Sequence, residues 1–389
     1  MLDNFFPRHP AIAPTLPSTV LPAYNERSGR FARLRGERIA IYWPHGFGDW
    51  IHFGTIAPML SPENVYAIFR LGDDYSALYS GAQPVGSFPS GVRSLADGSA
   101  LGARHLGLNW KRLSGKRERI ALPGELPSAF ADFAPTALLY TDYPEPEGRY
   151  AFPFHTKARA LARSLVEASH LSRFDLARPL PQSLPFTVAP ELQRRFDAAL
   201  ARYISPQDRL LLVAVGGHTF PGKNWPSEDA RAFVELVAMR DPRTRVILLD
   251  ALGDPDDGWH ERCNIVSFRS VVADFNEPFA ALFLALTARL HACVGVPSGP
   301  LHAISARADI PLVGLWFAHY PTWYDEPNPL ALHLVGRRPI ARGFHLRPAS
   351  TSLPTTLAYR IETVDSERIS PERVLDALAR VGAISSAAP

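Results

Sequence analysis

The order of apolar and polar positions along the chain predicts alternating strands and helices. In the first half, residues 38–44, 65–69 and 137–140 form apolar runs rich in β-branched and aromatic residues, as expected of buried strands. Residues 156–169 have the spacing of a helix. The first run leads into a glycine turn, HGFGD, and then into an apolar segment with a helical start. A strand, a glycine loop and a helix in this order are typical of the opening of an α/β domain.

The second half of the chain repeats this alternation more regularly. Apolar runs predict strands at residues 209–215, 245–249, 264–268, 292–296 and 311–316. Helical spacing predicts helices at residues 192–203, 227–239, 278–288, 301–308 and 371–381. Ser370 is suited to cap the last helix, because it stands directly before Pro371. Strands that alternate with helices build parallel sheets with right-handed crossovers.

The length of 389 residues favours two domains, because a single core rarely grows beyond about 250–300 residues. Four prolines interrupt the pattern between Ser172 and Leu192, which is typical of a linker. The predicted parts are a proline- and arginine-rich arm (1–37), an N-terminal domain (38–180), a linker (181–191) and a C-terminal domain (192–389) with a closing helix (371–381). Both domains are expected to be Rossmann-like α/β units whose doubly wound parallel sheets face each other across a cleft.

Composition narrows the possible functions. The 41 Lys and Arg residues nearly balance the 38 Asp and Glu residues, which gives no support for a nucleic-acid-binding protein. Apolar residues make up 46% of the chain, which is enough to bury a sizeable core and argues against global disorder. The two cysteines, Cys263 and Cys293, lie in no metal-binding spacing, so we expect neither a disulfide scaffold nor a structural zinc site.

The sequence also bears on location. Its first ten residues contain two prolines and charged residues, and no continuous apolar stretch follows, unlike in a signal peptide. No window approaches the run of about eighteen apolar residues that a membrane span needs. We therefore expect a cytoplasmic protein with at most peripheral contact with a membrane, at its inner face.

Three loops that follow predicted strands carry candidate functional residues, because ligands of such sheets bind at the carboxyl ends of strands. The first loop contains Gly48 and Asp49. Its glycines allow a tight turn and close approach to a ligand, and its carboxylate could act as a general base. The alternative reading of Asp49 is a helix N-cap.

The second loop, residues 215–226, contains Gly217, Lys223 and the sequence KNWP. A glycine-rich turn with one lysine ahead of a helix is suited to hold a diphosphate. It is not a Walker A loop, because Asn224 follows Lys223 where Ser or Thr is required. The alternative is a surface loop with a solvated lysine, which fits less well beside Trp225.

The third loop, residues 296–302, reads VPSGPLH. Ser298 and the amide of Gly299 are expected at the N-terminus of a helix, where anions are stabilised. His302 lies one turn into that helix, where it either faces the same point or forms a hydrogen bond between helix and sheet.

Taken in order and spacing, Gly48-Asp49, the KNWP motif at Lys223 and the SGPLH motif at Ser298 resemble those of glycosyltransferase family 9. This family comprises the heptosyltransferase-like enzymes of lipopolysaccharide biosynthesis. The resemblance spans residues 38–382, and ISPERVLDAL is similar to the family's closing helix. It implies the two-domain GT-B fold and an inverting transfer of a sugar from a nucleotide-diphosphate sugar to an acceptor hydroxyl.

The chain departs from the family pattern in two places. Pro297 stands where the family usually has Asp, in the loop that touches the donor sugar. The segment AHYPTWYDEPNP, with Tyr320, Trp323 and Tyr324, replaces a shorter polar loop. These departures leave the fold prediction unchanged and the identity of the donor sugar open.

The resemblance also implies residue roles. Asp49 would be the catalytic base. The donor-binding residues would be Gly217, Lys223, Asp254, Ser298, Gly299 and His302. The acceptor-binding residues would be His52, Lys111 and Arg112. Of the donor-binding set, Lys223 and the amides at Ser298 and Gly299 would stabilise the departing diphosphate.

For some of these residues an alternative without a functional role remains open. Lys111 and Arg112 belong to a basic cluster that would receive an anionic glycan or glycolipid acceptor, or would simply be a solvated loop. Asp254 is either a ribose contact or part of a turn. Asp254, Asp256 and Asp257 leave a metal site open, but no DxD pair stands beside a diphosphate loop, so we expect transfer without a metal or another cofactor.

Two other function classes remain open. Another GT-B enzyme, such as a UDP-sugar 2-epimerase, would share the fold and would be favoured by a second carboxylate cluster and an arginine near the donor loops. A non-catalytic sugar-nucleotide-binding module would keep Lys223 and the Ser298-Gly299 loop but would have no use for Asp49.

Overall fold

The structure is a computed structural model that shows two sheets, one in each half of the chain. It describes residues 19–25, 34–42, 47–48, 50–51, 60–61, 63–69, 93–94, 118–122, 133–140, 188–216, 221–249, 259–307, 309–317, 321, 328–336 and 360–384.

The N-terminal sheet has six strands within the described residues. They are β1 (Thr19–Asn25), β2 (Arg38–Tyr42), β3 (Val65–Phe69), β4 (Arg93–Ser94), β5 (Glu118–Leu122) and β6 (Ala137–Tyr140). Their order is β4-β3-β2-β6-β1-β5. Neighbouring strands are parallel, except that β1 and β5 are antiparallel. The three strands that the sequence predicts in this half are β2, β3 and β6.

Strand β1 lies in the segment that the sequence predicts as an arm. Its pairing with β6 begins at Ala23, whereas its pairing with β5 already begins at Thr19. Pro22 is therefore paired with β5 alone, opposite Arg119. A proline has no N–H to donate, so it is tolerated where one side of the strand is unpaired. Residues 19–25 are thus part of the N-terminal sheet.

The C-terminal sheet has seven parallel strands within the described residues. They are β7 (Arg209–Ala214), β8 (Thr244–Leu248), β9 (Ile265–Ser267), β10 (Ala292–Gly295), β11 (Leu312–Trp316), β12 (Ala331–Gly336) and β13 (Ile361–Val364). Their order is β13-β12-β11-β10-β7-β8-β9. The chain thus moves outward from β7 to β9 and returns to place β10 on the other side of β7. This reversal is a topological switch point, where a crevice opens at the carboxyl ends of two neighbouring strands.

Helices connect these strands and confirm the predicted alternation. They are α1 (Pro190–Leu200), α2 (Ser227–Arg240), α3 (Trp259–Arg262), α4 (Phe268–Val271), α5 (Phe279–Thr287), α6 (Gly299–Ser305) and α7 (Pro371–Arg380). The five helices predicted in this half correspond to α1, α2, α5, α6 and α7, with ends shifted by up to three residues. The helix predicted at residues 156–169 lies outside the described residues.

The sequence did not predict β12, although all six of its residues are buried. The reason is His333, whose imidazole interrupts the apolar run. The fold accommodates this ring because Trp316 Nε1 donates a hydrogen bond to His333 Nδ1 at 3.0 Å. Gly314 provides the space on the neighbouring strand, since a Cβ atom there would lie 2.5 Å from Nδ1 and 2.7 Å from the Trp316 Nε1.

The closing helix α7 begins as predicted, with Ser370 as its N-cap. The Ser370 Oγ accepts a hydrogen bond from the backbone N–H of Arg373 at 3.3 Å. Helix α7 packs on α2, and an ion pair links the two regions. In this pair Arg368 Nε donates to both carboxylate oxygens of the buried Asp229 at 2.8 Å. Helix α7 and the residues just before it are thereby attached to α2.

One hydrophobic cluster includes residues of both sheets. It contains Ile39 and Leu139 of the N-terminal sheet together with Leu210 and Leu212 of β7. A second cluster covers the other face of the C-terminal sheet under α2 and α7. Strands buried on both faces have the near-continuous apolar sequences that made β7, β10 and β11 predictable.

Candidate functional site

The second and third predicted loops leave the C-terminal sheet side by side. Strands β7 and β10 are hydrogen-bonded neighbours, with Ala214 paired to Gly295 at their carboxyl ends. Lys223 follows β7 and Ser298 follows β10, so the two residues flank the switch point of the sheet. This is the position at which doubly wound sheets bind their ligands.

Lys223 is a buried residue in this crevice region. It ends a 3₁₀ turn, Pro221–Lys223, and only 7% of its surface is exposed. Trp225 fixes the end of the loop, because its backbone N–H donates to the Val215 carbonyl at 2.9 Å and its ring centroid lies 5.3 Å from that of Phe233. Burial of an ammonium group is costly unless negative or polar groups surround it. A cation held in this way suits an anionic ligand.

Ser298 occupies the N-cap position of α6, but its hydroxyl does not cap the helix. The backbone carbonyl of Ser298 accepts the first helical bond, from the His302 N–H at 3.1 Å. The residue is 7% exposed, and its Oγ is buried without a hydrogen-bond partner among the described residues. Buried hydroxyls almost always have a partner. The free hydroxyl therefore marks a point where a ligand can form a hydrogen bond.

A second buried group without a partner lies on the neighbouring loop. The indole Nε1 of Trp225 has no hydrogen-bond acceptor in the part of the chain that the structure describes. The loop after β7 thus carries an unused donor and the loop after β10 an unused hydroxyl. Leaving such groups unsatisfied costs about 1–3 kcal/mol each. The Trp225 ring itself packs on Phe233 of α2, in the hydrophobic cluster that α2 covers.

The first predicted loop comes from the N-terminal half and lies against the third. A Cβ atom on Gly48 would lie 2.7 Å from His302 Cδ2 and 3.3 Å from the Gly299 Cα. His302 is 6% exposed, so its ring is enclosed near this contact. Two loops 250 positions apart in sequence, at Gly48 and Ser298, are therefore adjacent in the fold.

Several predicted site residues lie outside the described residues. They are Asp49, His52, Lys111, Arg112, Gly217 and Asp254. The others lie within the described residues: Lys223 follows β7, and Ser298, Gly299 and His302 belong to the start of α6 after the neighbouring strand β10. Their roles stay predictions. The residues before and after Asp49, which are Gly48 and Trp50, have helical backbone.

Sequence reasoning missed one residue of this region, Phe47. Its ring centroid lies 5.7 Å from those of Phe279 and Phe283 on α5, and it is edge-on to both. The sequence contains a weak signal for this contact, since Phe279 and Phe283 are spaced by four residues and so share a helix face. Nothing local, however, links that face to a glycine loop more than 200 positions away.

Two further observations concern the described residues. They contain no group of three or more His, Cys, Asp or Glu side chains arranged to hold a metal ion. Asp254, Asp256 and Asp257 are outside this set. None of the helices described here has the length and apolar character to cross a membrane.

Comparisons with known proteins give matches among solved structures. No family model matches the chain, and no curated protein matches it. A glycosyl transferase family 9 protein from Veillonella parvula is 15% identical, with a TM-score of 0.49, over 90% of this chain and 98% of that one. The ADP-heptose lipopolysaccharide heptosyltransferase II of E. coli is 16% identical, with a TM-score of 0.47, over 88% and 98%. The fucosyltransferase NodZ from Bradyrhizobium is 13% identical, with a TM-score of 0.30, over 71% and 94%.

Identities this low and TM-scores below 0.5 carry no functional argument for the chain. The fold class follows from the topology itself. Two Rossmann-like α/β sheets, with a loop of the first lying on the switch point of the second, form the GT-B architecture that the sequence predicted.

Proposed function

We propose that the protein is an inverting glycosyltransferase that moves a sugar from a nucleotide-diphosphate sugar to an acceptor hydroxyl. The acceptor we propose is a glycan or glycolipid of the lipopolysaccharide kind, including anionic ones. The supporting observation is that a buried Lys223 follows β7, while Ser298, whose hydroxyl has no hydrogen-bond partner among the described residues, follows the neighbouring strand β10. A diphosphate matches this pair, because it offers charge to the ammonium and acceptor oxygens to the hydroxyl.

The donor side of the reaction needs positive potential where charge develops. As the bond between the sugar C1 and the diphosphate oxygen breaks, its electron pair stays on the diphosphate. Lys223 stabilises that charge, and the Ser298 hydroxyl and Gly299 amide donate hydrogen bonds to it. Gly217 gives the backbone room to approach the donor, His302 borders it, and Asp254 contacts the ribose or forms a turn.

The acceptor side needs a base. Asp49 takes the proton from the acceptor hydroxyl while the hydroxyl oxygen attacks C1 from the face opposite the diphosphate, which inverts the anomeric centre. The contact of Gly48 with Gly299 and His302 supports this assignment, because it brings the residue next to Asp49 to the proposed donor loop. His52, Lys111 and Arg112 contribute to acceptor binding. No metal takes part in this scheme.

A thermal-shift screen across ADP-, UDP-, GDP- and dTDP-sugars tests the donor assignment. A ligand that binds the folded protein stabilises it by RT ln(1 + [L]/Kd), so the matching donor raises the melting temperature. Lys223→Ala should remove most of this shift, because the diphosphate loses its main cation. Ser298→Ala should have a smaller effect, since the Gly299 amide remains.

Two variants serve as matched controls. Arg194→Ala removes a positive charge from an exposed position on α1, and Ser305→Ala removes a buried hydroxyl at the far end of α6. Both should keep the donor-induced shift. If no nucleotide sugar stabilises the wild type, or if Lys223→Ala binds the donor normally, the proposal is wrong. Donor binding without transfer to any acceptor in a broad screen would favour a binding module.

A further inference from the structure

Phe47 lies across the boundary between the two halves of the protein. It belongs to the glycine loop after β2, yet its ring is 6% exposed and lies edge-on against two rings of α5. Those two rings, Phe279 and Phe283, are stacked at 5.6 Å with an interplanar angle of 21°. Edge-to-face contacts of this kind are favourable and directional. The loop is therefore held by the C-terminal half as well as by its own sheet.

The rings that receive Phe47 contact further aromatic rings; Phe283 is fully buried, whereas Phe279 is 43% exposed. Phe268, the first residue of α4, lies edge-on to Phe279 with centroids 6.1 Å apart. Phe196 of α1 in turn lies 6.4 Å from Phe268. This aromatic row, which we define as Phe47, Phe283, Phe279, Phe268 and Phe196, extends from the glycine loop to the first helix of the C-terminal half. Phe47 thus has one fully buried ring, Phe283, among its partners in the row.

Two glycines allow the backbone of the loop to come this close. A Cβ atom on Gly299 would lie 2.7 Å from Phe47 Cδ1, 2.9 Å from its Cβ and 3.0 Å from the backbone N of Gly48. On the other side of the contact, a Cβ on Gly48 would collide with the ring of His302. Neither glycine has a left-handed backbone, so space and not conformation requires glycine at both positions.

We infer that Phe47 is a positioning residue for the proposed transfer reaction. Its ring holds the loop that carries Asp49 at a fixed place relative to Lys223 and Ser298. The base and the donor groups come from different halves of the chain, so their relative position depends on contacts between the halves. A displacement of about 1 Å in such an arrangement can lower a rate about 10²-fold. This inference rests on the proposed function for its chemistry, but the contact itself can be tested separately.

The test uses Phe47→Ala and Phe47→Leu in the full chain, with Phe275→Leu as the matched control. Phe275 packs on Phe196 but makes no ring contact with Phe47. Phe47→Ala should lower kcat about 10²-fold while the Kd for the nucleotide sugar stays at the wild-type value. Phe47→Leu keeps most of the apolar volume but loses the ring edges. It should also lower kcat at an unchanged Kd, but by a smaller factor. A merely structural role would not separate kcat from Kd in a protein that remains folded.

Hydrogen exchange gives a readout that does not depend on activity. Amides of residues 47–51 and 279–283 should exchange faster in both Phe47 variants, whereas those of β7 and β8 should not change. Unchanged exchange and unchanged kcat in Phe47→Leu would overturn the inference, even if Phe47→Ala fails to fold. If the wild type neither binds nor transfers a sugar, the proposed function fails, whereas faster exchange would still support the contact across the two halves.

Discussion

Replacement of Gly314 by alanine should destabilise the C-terminal half of the protein. Gly314 lies in the middle of β11, beside the buried hydrogen bond from Trp316 to His333. An added Cβ would lie 2.5 Å from His333 Nδ1 and 2.7 Å from Trp316 Nε1, which is about 1 Å inside normal contact distance. Both rings must therefore move, and both belong to a packed core.

The size of the effect follows from three contributions. Overpacking of a core costs about 1–3 kcal/mol. Breaking the hydrogen bond leaves a buried donor and acceptor unsatisfied, which costs about 1–3 kcal/mol more. The lower entropy of the unfolded chain with alanine offsets about 0.4–1 kcal/mol. The free energy of unfolding should thus fall by about 1–5 kcal/mol.

Urea unfolding followed by tryptophan fluorescence measures this change. With a slope of about 1–3 kcal/mol per molar urea, the central values of the two ranges put the fall of the midpoint at roughly 1.5 M. Gly336→Ala is the control, because its Cβ would approach no atom closer than the carbonyl oxygen of Glu367, at 3.3 Å. In the double variant Gly314→Ala/His333→Ala the added Cβ is no longer crowded by the imidazole, so the two effects should not add. A Gly314→Ala protein as stable as the wild type, or additive effects in the double variant, would refute this reasoning.

Three further predictions concern catalysis, metal dependence and pH. Asp49→Asn should lower the transfer rate about 10²–10⁴-fold, while the donor affinity and the melting temperature stay near the wild-type values. A destabilised Asp49→Asn protein with normal turnover would instead indicate that Asp49 caps a helix. Transfer should persist in excess EDTA, and complete loss that Mg²⁺ or Mn²⁺ restores would point to the aspartates at residues 254–257. Hydrogen bonding from Arg380, aided by Arg373, lowers the pKa of Glu362 below its ordinary value of 4.5 although burial opposes this. The resulting stability is present above pH 4.5 and is lost as the pH falls through the lowered pKa. In Glu362→Gln the free energy of unfolding should therefore fall less steeply as the pH is lowered through the acid range.

The strands and helices of the C-terminal half could be predicted because local sequence determines them. Strands β7, β10 and β11 are buried on both faces and have continuous apolar sequences. Helix α7 carries its own signals, a Ser370 cap followed by Pro371. Strand β12 was missed because His333 is polar by type, and its burial depends on a donor and a glycine from another strand.

The candidate site also has features that the local sequence predicts and features that it does not. Lys223 and Ser298 could be predicted, because loops after the strands of an α/β sheet are expected to carry function. The Ser298 hydroxyl does not cap α6 and has no partner within the part of the chain that the structure describes. This could not be predicted, since serine at an N-cap normally forms the capping bond. The position of Phe47 was also unpredictable, because the rings that contact it belong to a helix folded from a distant part of the chain.

The hydrophobic cluster shared by both sheets bears on whether the two halves can exist apart. Many two-domain proteins are assembled from modules that can be expressed singly or exchanged between relatives, because each module encloses its own core. Here Phe47 is buried against rings of the opposite half, so separation would expose it together with Phe283. A polypeptide cut in the predicted linker, residues 181–191, would therefore yield fragments with exposed apolar surfaces that favour aggregation. Recombination with a foreign partner would succeed only if that partner supplied both a ring of suitable size and a glycine opposite it.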